Sequence, residues 1–320
     1  MSGVFLDKFS LDRGDLDLAA LNASLPEWVF HNETHPDQVK ERIKEAEVVI
    51  SNKVVLDWSA LNAAKKLKLI CIAATGTNNV DLVTAKELGI NVCNIRSYAT
   101  PSVVQHVFSL ILALSTRLNA YQQAVEEGLW SKSTQFCLLD FPIHEIAGKT
   151  LGIVGYGELG KAVARVAMAF GLEVLIAQRP GTSELVKGRY HLADLLPKLD
   201  ILSLHCPLTE ATQNLIGSAE IALMKKGAIL INTARGGIVD EQALAEALRD
   251  GQLGGAGIDV LSKEPPAEDN PLLQKDIPNL IVTPHIAWAS QESRQRLVDE
   301  LVLNIDSWNS GNIRNEVVHQ

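Results

Sequence analysis

One glycine-rich segment constrains the fold of this chain more than any other. Residues 151–160 read LGIVGYGELG, so a short apolar run leads straight into G-x-G-x-x-G and then into an amphipathic stretch. Gly155 allows a tight turn, Gly157 lets the backbone approach a pyrophosphate, and Gly160 lets the helix pack on the strand. Free N–H groups of the first helical turn then face the phosphates. The residues expected to bind the dinucleotide here are Gly155, Gly157, Glu158, Leu159 and Gly160.

The end of the next apolar run indicates which dinucleotide fits. Residues 172–177 read LEVLIA, and Gln178 and Arg179 follow, where an NAD-binding fold normally has an acidic residue. A carboxylate would repel a 2′-phosphate, whereas a guanidinium can bind it through charge-assisted hydrogen bonds. The sequence therefore predicts NADPH or NADH as cofactor, with NADPH preferred. In the alternative interpretation, Arg179 is a solvated loop residue that discriminates little between the two.

Length, composition and charge narrow the class of protein. The 320 residues exceed what one hydrophobic core usually serves, and 47% of them are hydrophobic, so two domains are expected. The formal net charge of −9 would repel a phosphate backbone, which argues against nucleic acid as partner. No N-terminal targeting pattern is present, and no run approaches the roughly 18 uninterrupted apolar residues of a transmembrane helix. We expect a cytoplasmic protein without a membrane partner.

The cysteines and histidines give no metal-binding pattern. Four cysteines are scattered without C-x-x-C spacing, and the eight histidines are dispersed. A metal site would need such residues clustered at ligand spacing. We therefore expect buried free thiols and no metal.

Apolar runs alternate with helical patterns along the whole chain, which is typical of parallel sheets covered on both faces. Two such series occur, and a break at 98–102 precedes a long apolar helix predicted over about 103–118. A helix predicted over 291–309 could return to the first series. The sequence thus predicts a substrate domain of residues 1–99 and 286–320, a dinucleotide-binding domain of residues 100–285, and a cleft between them.

Three polar residues follow apolar runs of the second series. Arg235 follows ILINTA, Glu264 lies beyond GIDV, and His285 follows IVTP. Ligands of open parallel sheets bind at the carboxyl ends of strands, so these side chains should converge. Together they suit hydride transfer to a 2-keto acid: His285 supplies a proton, Glu264 orients the imidazole, and Arg235 binds the carboxylate and polarises the ketone. Taken singly, each could be a turn or surface residue.

Six motifs together carry a family resemblance: ATGTNNVD (74–81), LGIVGYGELG (151–160), LHCPLT (204–209), INTARGG (231–237), GIDV (257–260) with Glu264-Pro265 beyond it, and TPHIA (283–287). With these, the chain resembles the D-isomer-specific 2-hydroxyacid dehydrogenase family, within it the glycerate dehydrogenase or hydroxypyruvate reductase group. The resemblance spans nearly all 320 residues. It implies an α/β protein with two Rossmann-like parallel-sheet domains, of which the substrate domain is flavodoxin-like.

The resemblance also assigns roles to individual residues. Arg235, Glu264 and His285 form the catalytic set, and the backbone N–H groups of Thr75, Gly76 and Thr77 meet the substrate carboxylate. Asp259 meets the nicotinamide amide, and His205 is structural. Residues implied to line the cofactor site besides the glycine-rich segment are Gln178, Arg179, Cys206, Pro207, Thr233, Ala234, Arg235, Asp259 and His285.

The substrate and the partner are expectations from the same resemblance. Asn52 and Lys53 would face a small 2-keto acid such as hydroxypyruvate or glyoxylate, with Arg235 and His285 opposite. Trp288 and Trp130 could close the pocket, although both could equally be packing aromatics. Family members pair through the cofactor domain, so a homodimer using the apolar segment 130–141 is expected. Two alternatives stay open: a 3-phosphoglycerate dehydrogenase, and a non-enzymatic NADH-sensing corepressor-type scaffold.

Overall fold

The computed structural model describes residues 1–182 and 184–317. The chain divides into two compact units, the first made of Met1–Ala99 with Ala289–Gln320 and the second of Thr100–Trp288. The second boundary falls after Trp288 rather than after His285. The N–H groups of Ile286 and Ala287 each donate to the Asp259 carboxylate at 2.9 Å, which holds these residues in the second unit.

The first unit is built on a parallel sheet. Among the described residues its strands are β1 (Ser2–Phe5), β2 (Glu27–Phe30), β3 (Val48–Ser51), β4 (Leu69–Ile72) and β5 (Asn91–Cys93), joined through α1 (Ala19–Ala23), α2 (Val39–Ile43), α3 (Trp58–Ala63) and α4 (Leu82–Glu87). They pair in the order β2-β1-β3-β4-β5, all parallel. This is the flavodoxin-like order, and it confirms the predicted fold of this domain.

The second unit contains a larger parallel sheet. Its described strands are β6 (Thr150–Val154), β7 (Glu173–Ala177), β8 (Arg189–Tyr190), β9 (Ile201–Leu204), β10 (Ala228–Asn232), β11 (Leu253–Ile258) and β12 (Leu280–Val282). Their order is β8-β7-β6-β9-β10-β11-β12, again parallel throughout. The order reverses between β6 and β9, as in a Rossmann domain with one further strand at its edge, so the predicted fold class is confirmed.

Helices cover this sheet. They are α5 (Thr100–Ser115), α6 (Leu118–Glu126), α7 (Leu129–Lys132), α8 (Glu158–Ala169), α9 (Leu192–Leu195), α10 (Ser218–Leu223) and α11 (Glu241–Arg249). Because helices lie on the sheet, strands such as β9 are buried at every position, which explains why they appear in the sequence as continuous apolar runs.

The last helix, α12 (Gln291–Asn309), belongs to the first unit. It buries Leu297, Leu301 and Ile305, and Asn304 Nδ2 donates to the carbonyl of Asn94 at 3.0 Å. Its bounds agree with the sequence-based prediction, because a Ser290 side-chain cap and a regular apolar period define it locally.

The long apolar helix of the second unit differs from its prediction over 103–118. It begins at Thr100 and ends at Ser115, because Arg117 adopts a left-handed φ of 54° and α6 then starts in a new direction. Among the described residues, no helix by itself has the length and apolar character to span a membrane; α5 and α6, bent by 62°, meet that test of length and composition only as a pair.

Candidate active site

The glycine-rich loop between β6 and α8 has the geometry that a dinucleotide pyrophosphate needs. Gly155 has a φ of +93°, and a Cβ there would lie 2.5 Å from the His205 carbonyl carbon. A Cβ at Gly160 would lie 2.2 Å from the Gly155 oxygen, whereas a Cβ at Gly157 meets no atom within 4 Å. The space over Gly157 is therefore open. No side chain of a described residue caps the start of this helix, so the N–H groups of its first turn can donate to an anion.

Neighbouring strand ends add groups that suit a bound cofactor. Cys206 follows β9 and is buried, whereas Pro207 beside it is exposed. The backbone N of Cys206 would lie 2.6 Å from a Cβ at Gly155, so Cys206 borders the glycine-rich loop. Thr233 follows β10, and its buried Oγ1 has no partner among the described residues. An unpaired buried hydroxyl is costly, so a ligand polar group there would relieve that cost. Ala234 N is already used, donating to Asn232 Oδ1 at 3.0 Å. These residues fit a dinucleotide.

At the end of β7, Gln178 and Arg179 differ in their surroundings. The Gln178 side chain is buried and hydrogen-bonded within its own loop. Arg179 is exposed, and its side chain makes no hydrogen bond or ion pair to any described residue. The structure thus leaves the Arg179 guanidinium available to a ligand. The Gln178 amide instead forms hydrogen bonds within its own loop.

His285 and Glu264 form a close pair. His285 Nδ1 lies 2.6 Å from Glu264 Oε2, and Glu264 Oε1 accepts from Leu261 N at 3.0 Å. The two residues lie in the loops after β12 and β11, which are neighbours in the sheet. With Nδ1–H donated to the carboxylate, Nε2 is the nitrogen left to meet a substrate.

Arg235 lies in the loop after β10, next to the loop that carries Glu264. A Cβ at Gly236 would lie 1.9 Å from the Leu261 oxygen, so these two loops are in direct backbone contact. Arg235 Nη1 donates to the Ala234 oxygen at 2.7 Å, while the residue stays exposed. The structure therefore brings the three predicted catalytic residues to the same sheet edge within the second unit.

Asp259 organises the turn that carries His285. Its carboxylate accepts from Thr283 Oγ1 at 2.6 Å, besides the N–H groups of Ile286 and Ala287, and its side chain is fully buried. The backbone carbonyl oxygen of Asp259 also accepts from His285 N at 2.8 Å, and His285 has a left-handed φ of 54°. The Asp259 carboxylate thus binds three groups of this turn, Thr283 Oγ1 and the N–H groups of Ile286 and Ala287.

The network around this turn has a further member that the sequence did not reveal. His106 on α5 places Nε2 3.0 Å from Thr283 Oγ1 and 3.5 Å from Asp259 Oδ1. No local pattern marks this contact, because only the packing of α5 on the sheet creates it. Trp288 also supports the turn, since its Nε1 donates to the His285 oxygen at 2.9 Å.

His205 has the surroundings of a structural histidine. Burial lowers its pKa to about 4, so the ring is neutral at neutral pH. Its Nε2 pairs with Ser203 Oγ at 2.9 Å, and its buried Nδ1 has no partner in the described part of the chain.

In the first unit, the loop after β4 exposes free backbone donors. The N–H groups of Thr75, Gly76 and Thr77 make no hydrogen bond to a described residue. Two hydrogen bonds to the segment after β5 hold the loop in place. Thr75 Oγ1 donates to the Ile95 oxygen at 2.8 Å, and Asn94 Nδ2 donates to the Thr75 oxygen at 2.7 Å. Consecutive free N–H groups on a fixed loop suit a carboxylate.

The loop after β3 is organised by Asp7. Its carboxylate accepts from the backbone N of Asn52 at 2.9 Å and of Lys53 at 2.7 Å, and burial raises its pKa. Asn52 is buried, and its amide donates to Ser10 Oγ at 3.0 Å. Lys53 is exposed. Of the two residues predicted to face the substrate, Asn52 is thus hydrogen-bonded within the loop itself.

No group of three or more potential metal ligands occurs among the described residues.

Comparison with known proteins places the chain in a family. The family described as D-isomer specific 2-hydroxyacid dehydrogenase, NAD binding domain, matches residues 108–287. The glycerate dehydrogenase of Methylorubrum extorquens is 47% identical over 309 residues, 96% of this chain and 97% of that protein. The hydroxypyruvate reductase of Blautia hydrogenotrophica is 39% identical over 323 residues, 99% of each chain.

A solved structure agrees over the full length. The acyclic imino acid reductase Bsp5, in complex with NADPH and D-Arg, superimposes with a TM-score of 0.86 at 27% identity, covering 99% of this chain and 100% of that chain. The D-3-phosphoglycerate dehydrogenase of Methanocaldococcus jannaschii is 36% identical over 81% of this chain and 49% of that protein, so this alternative is the more distant one. The chain belongs to the D-isomer specific 2-hydroxyacid dehydrogenase family, as its motifs indicated.

Proposed function

We propose that this chain reduces a small 2-keto acid, hydroxypyruvate or glyoxylate, to the matching 2-hydroxy acid, D-glycerate or glycolate, with NADPH or NADH. The observation that carries the proposal is the 2.6 Å pair of His285 Nδ1 and Glu264 Oε2 at the carboxyl edge of the second sheet. The choice of substrate rests on the relatives, a glycerate dehydrogenase at 47% identity and a hydroxypyruvate reductase at 39%.

The catalytic roles follow from the positions of the polar atoms. Glu264 binds Nδ1 of the imidazole and orients the ring, so His285 Nε2 can donate a proton to the carbonyl oxygen of the substrate. Reduced nicotinamide, when bound, supplies the hydride. Arg235 presents the rest of its guanidinium to the substrate carboxylate and polarises the ketone.

Binding of the substrate carboxylate is assigned to the loop after β4. Thr75, Gly76 and Thr77 offer free N–H groups. Two hydrogen bonds, to Ile95 and from Asn94, keep their loop in place. Lys53, exposed after β3, is proposed as a further cation for the substrate. Trp288 acts through the His285 turn, to which its indole is bonded.

Binding of the cofactor is assigned to the glycine-rich loop and the neighbouring strand ends. Gly157 and the first turn of α8 hold the pyrophosphate, and Thr233 offers its unpaired hydroxyl. Asp259 and His285 border the nicotinamide position. NADPH is preferred over NADH because Arg179 is exposed and uncommitted where an acidic residue would otherwise repel the 2′-phosphate.

We also propose that the chain forms a homodimer through the segment 130–141. This segment exposes Trp130 (52%), Phe136 (89%) and Leu139 (81%). Tyr121 Oη donates to the Phe141 oxygen at 2.7 Å, so the segment is held in a defined shape. Several large apolar side chains exposed within one short segment favour a protein contact there.

A panel assay tests the proposed activity. Hydroxypyruvate, glyoxylate, pyruvate and 3-phosphohydroxypyruvate are each offered with NADH and with NADPH, and the His285→Ala variant provides the background rate. The highest kcat/KM is expected for hydroxypyruvate or glyoxylate with NADPH. Higher kcat/KM for the phosphorylated acid would refute the substrate assignment. Dinucleotide binding without turnover of any of the four acids would refute the enzymatic role and favour a scaffold.

A further inference from the structure

The amide of Gln178 spans the loop that follows β7. Its Nε2 donates to Thr182 Oγ1 at 2.7 Å and to the Glu184 oxygen at 2.6 Å, and its Oε1 accepts from Val186 N at 3.2 Å. The side chain is 7% exposed. One buried amide therefore bonds to three described residues of the loop that follows β7.

The contact with Thr182 continues to Arg179. Thr182 Oγ1 donates its single proton to the Arg179 oxygen at 2.7 Å while it accepts from Gln178. At the base of the loop, Gln178 N donates to the Tyr190 oxygen at 2.7 Å. A chain of hydrogen bonds thus runs from the end of β7 to the backbone of Arg179, whose side chain has no described partner.

This loop borders a cavity of about 150 Å³. Its lining includes Gln178, Arg179, Gly181, Thr182, His191 and Leu215. Gly181 has a φ of +78°, a conformation that a residue with a side chain rarely adopts. The turn therefore has a defined backbone that depends on its local hydrogen bonds.

We propose that Gln178 is a positioning residue for the 2′-phosphate of the cofactor: it binds Thr182, Glu184 and Val186 in the loop that follows β7, so that Arg179 is held ready to bind the phosphate. This rests on the proposed NADPH preference and extends it. Only an amide suits the position, because Gln178 must both donate, to Thr182 and Glu184, and accept, from Val186. An ionised carboxylate could accept but not donate, so it would lose the link to Arg179 as well as repel the phosphate.

The test combines an exchange measurement on the cofactor-free protein with binding of two small probes. Variants Gln178→Met and Thr182→Val remove the hydrogen bonds at nearly constant volume, and Thr182→Ser keeps the hydroxyl as a matched control. Amide hydrogen exchange is measured over residues 178–190 without ligand. Dissociation constants are measured for 2′,5′-ADP, which carries the 2′-phosphate, and for 5′-ADP, which does not.

In Gln178→Met and in Thr182→Val we expect faster exchange at Val186 and its neighbours. We also expect binding of 2′,5′-ADP to weaken about tenfold, as for loss of one hydrogen bond to a charged group, with a smaller change for 5′-ADP. Thr182→Ser should match the parent chain. If Gln178→Met does not fold, Thr182→Val against Thr182→Ser provides the same comparison.

Unchanged exchange, or equal weakening of the two probes in both variants, overturns the positioning role of Gln178. Arg179→Gln separates that failure from failure of the cofactor preference. If Arg179→Gln weakens 2′,5′-ADP binding while Gln178→Met and Thr182→Val have no effect on it, the preference stands and the positioning role is wrong. If Arg179→Gln leaves 2′,5′-ADP binding unchanged, the preference itself is wrong, and the positioning role falls with it.

Discussion

Glu264 bonds to His285 with one carboxylate oxygen and to its own loop with the other. Oε2 lies 2.6 Å from His285 Nδ1, and Oε1 accepts from Leu261 N at 3.0 Å. The carboxylate thus ties the loop after β11 to the imidazole in the loop after β12. This arrangement fixes the ring orientation and leaves Nε2 as the only ring nitrogen available for proton transfer.

Replacement of His285 by Ala should abolish most keto-acid reduction. Loss of a general acid typically costs about 10²–10⁴-fold in rate. Binding of the dinucleotide should change far less, because the pyrophosphate site lies at the glycine-rich loop. Steady-state kcat and the dinucleotide Kd, measured on the same preparation, check this. A variant with unchanged kcat would remove His285 from the mechanism.

Replacement of Glu264 by Gln should lower kcat by about tenfold or more, as is typical when a carboxylate that orients a functional imidazole is lost. A glutamine has one accepting oxygen, so it cannot accept from both His285 and Leu261 N. Glu268→Gln, a change at another exposed acid nearby in the sequence, serves as control. Equal kcat in the two variants would show that the 2.6 Å contact does not contribute to catalysis.

Replacement of Arg179 by Gln should weaken NADPH much more than NADH. A hydrogen bond to a charged group contributes about 1.5–3 kcal/mol, so the Kd for NADPH should rise roughly tenfold to more than a hundredfold. Added salt should reduce the preference of the parent chain, since the guanidinium is exposed. Titrations with both cofactors at two salt concentrations measure this. Equal losses for both cofactors would contradict a phosphate contact.

Stability should depend on pH through His205. Burial holds its pKa at about 4 in the folded chain, against about 6.5 in an unfolded one. As pH falls, the unfolded chain takes up the proton first, so stability decreases between about pH 7 and pH 4, by up to about 3 kcal/mol. Urea midpoints at pH 5 and pH 8 should therefore differ less in His205→Gln. An equal difference in both proteins would show that another group causes it.

Polar replacements in the 130–141 segment should shift a dimer toward monomer. Phe136→Ser and Leu139→Ser remove two side chains that are 89% and 81% exposed, so neither should disturb the core. Val83→Ser on α4, where the side chain is 69% exposed in the first unit, is the matched control. Sedimentation equilibrium measures the mass. A dimer unaffected by Phe136→Ser and Leu139→Ser, or dissociated equally by Val83→Ser, would place the interface elsewhere.

The sequence predicted the elements that have strong local signals. Helix α12 has the predicted bounds, since a side-chain cap and an apolar period define it locally. The end predicted for α5, at about residue 118, was wrong by several residues, because the helix ends at Ser115. No Gly or Pro near Ser115 marks the end of a helix in the sequence, and the left-handed conformation at Arg117 ends it.

The residues of the candidate site also divide into those that a local sequence pattern identified and those that it did not. Gly155, Gly157 and Gly160 could be identified from spacing alone, because a turn, a close approach and helix packing each require glycine at a fixed position. Gln178 could not be interpreted fully. Its position suggested a residue that lines the cofactor site, whereas its partners Thr182, Glu184 and Val186 show an amide that organises the loop.

By itself the sequence determined the two parallel-sheet domains, the family and the strand ends at which Arg235, Glu264 and His285 lie, because these depend on apolar periods and short motifs. Only the tertiary structure decided which atoms pair. It placed Glu264 on Nδ1 of His285 and turned the Asp259 carboxylate toward the His285 turn. It also brought His106 of α5 to Thr283, which is distant in sequence. Hydrogen bonds form between groups that folding brings within about 3 Å, and no local pattern encodes that proximity.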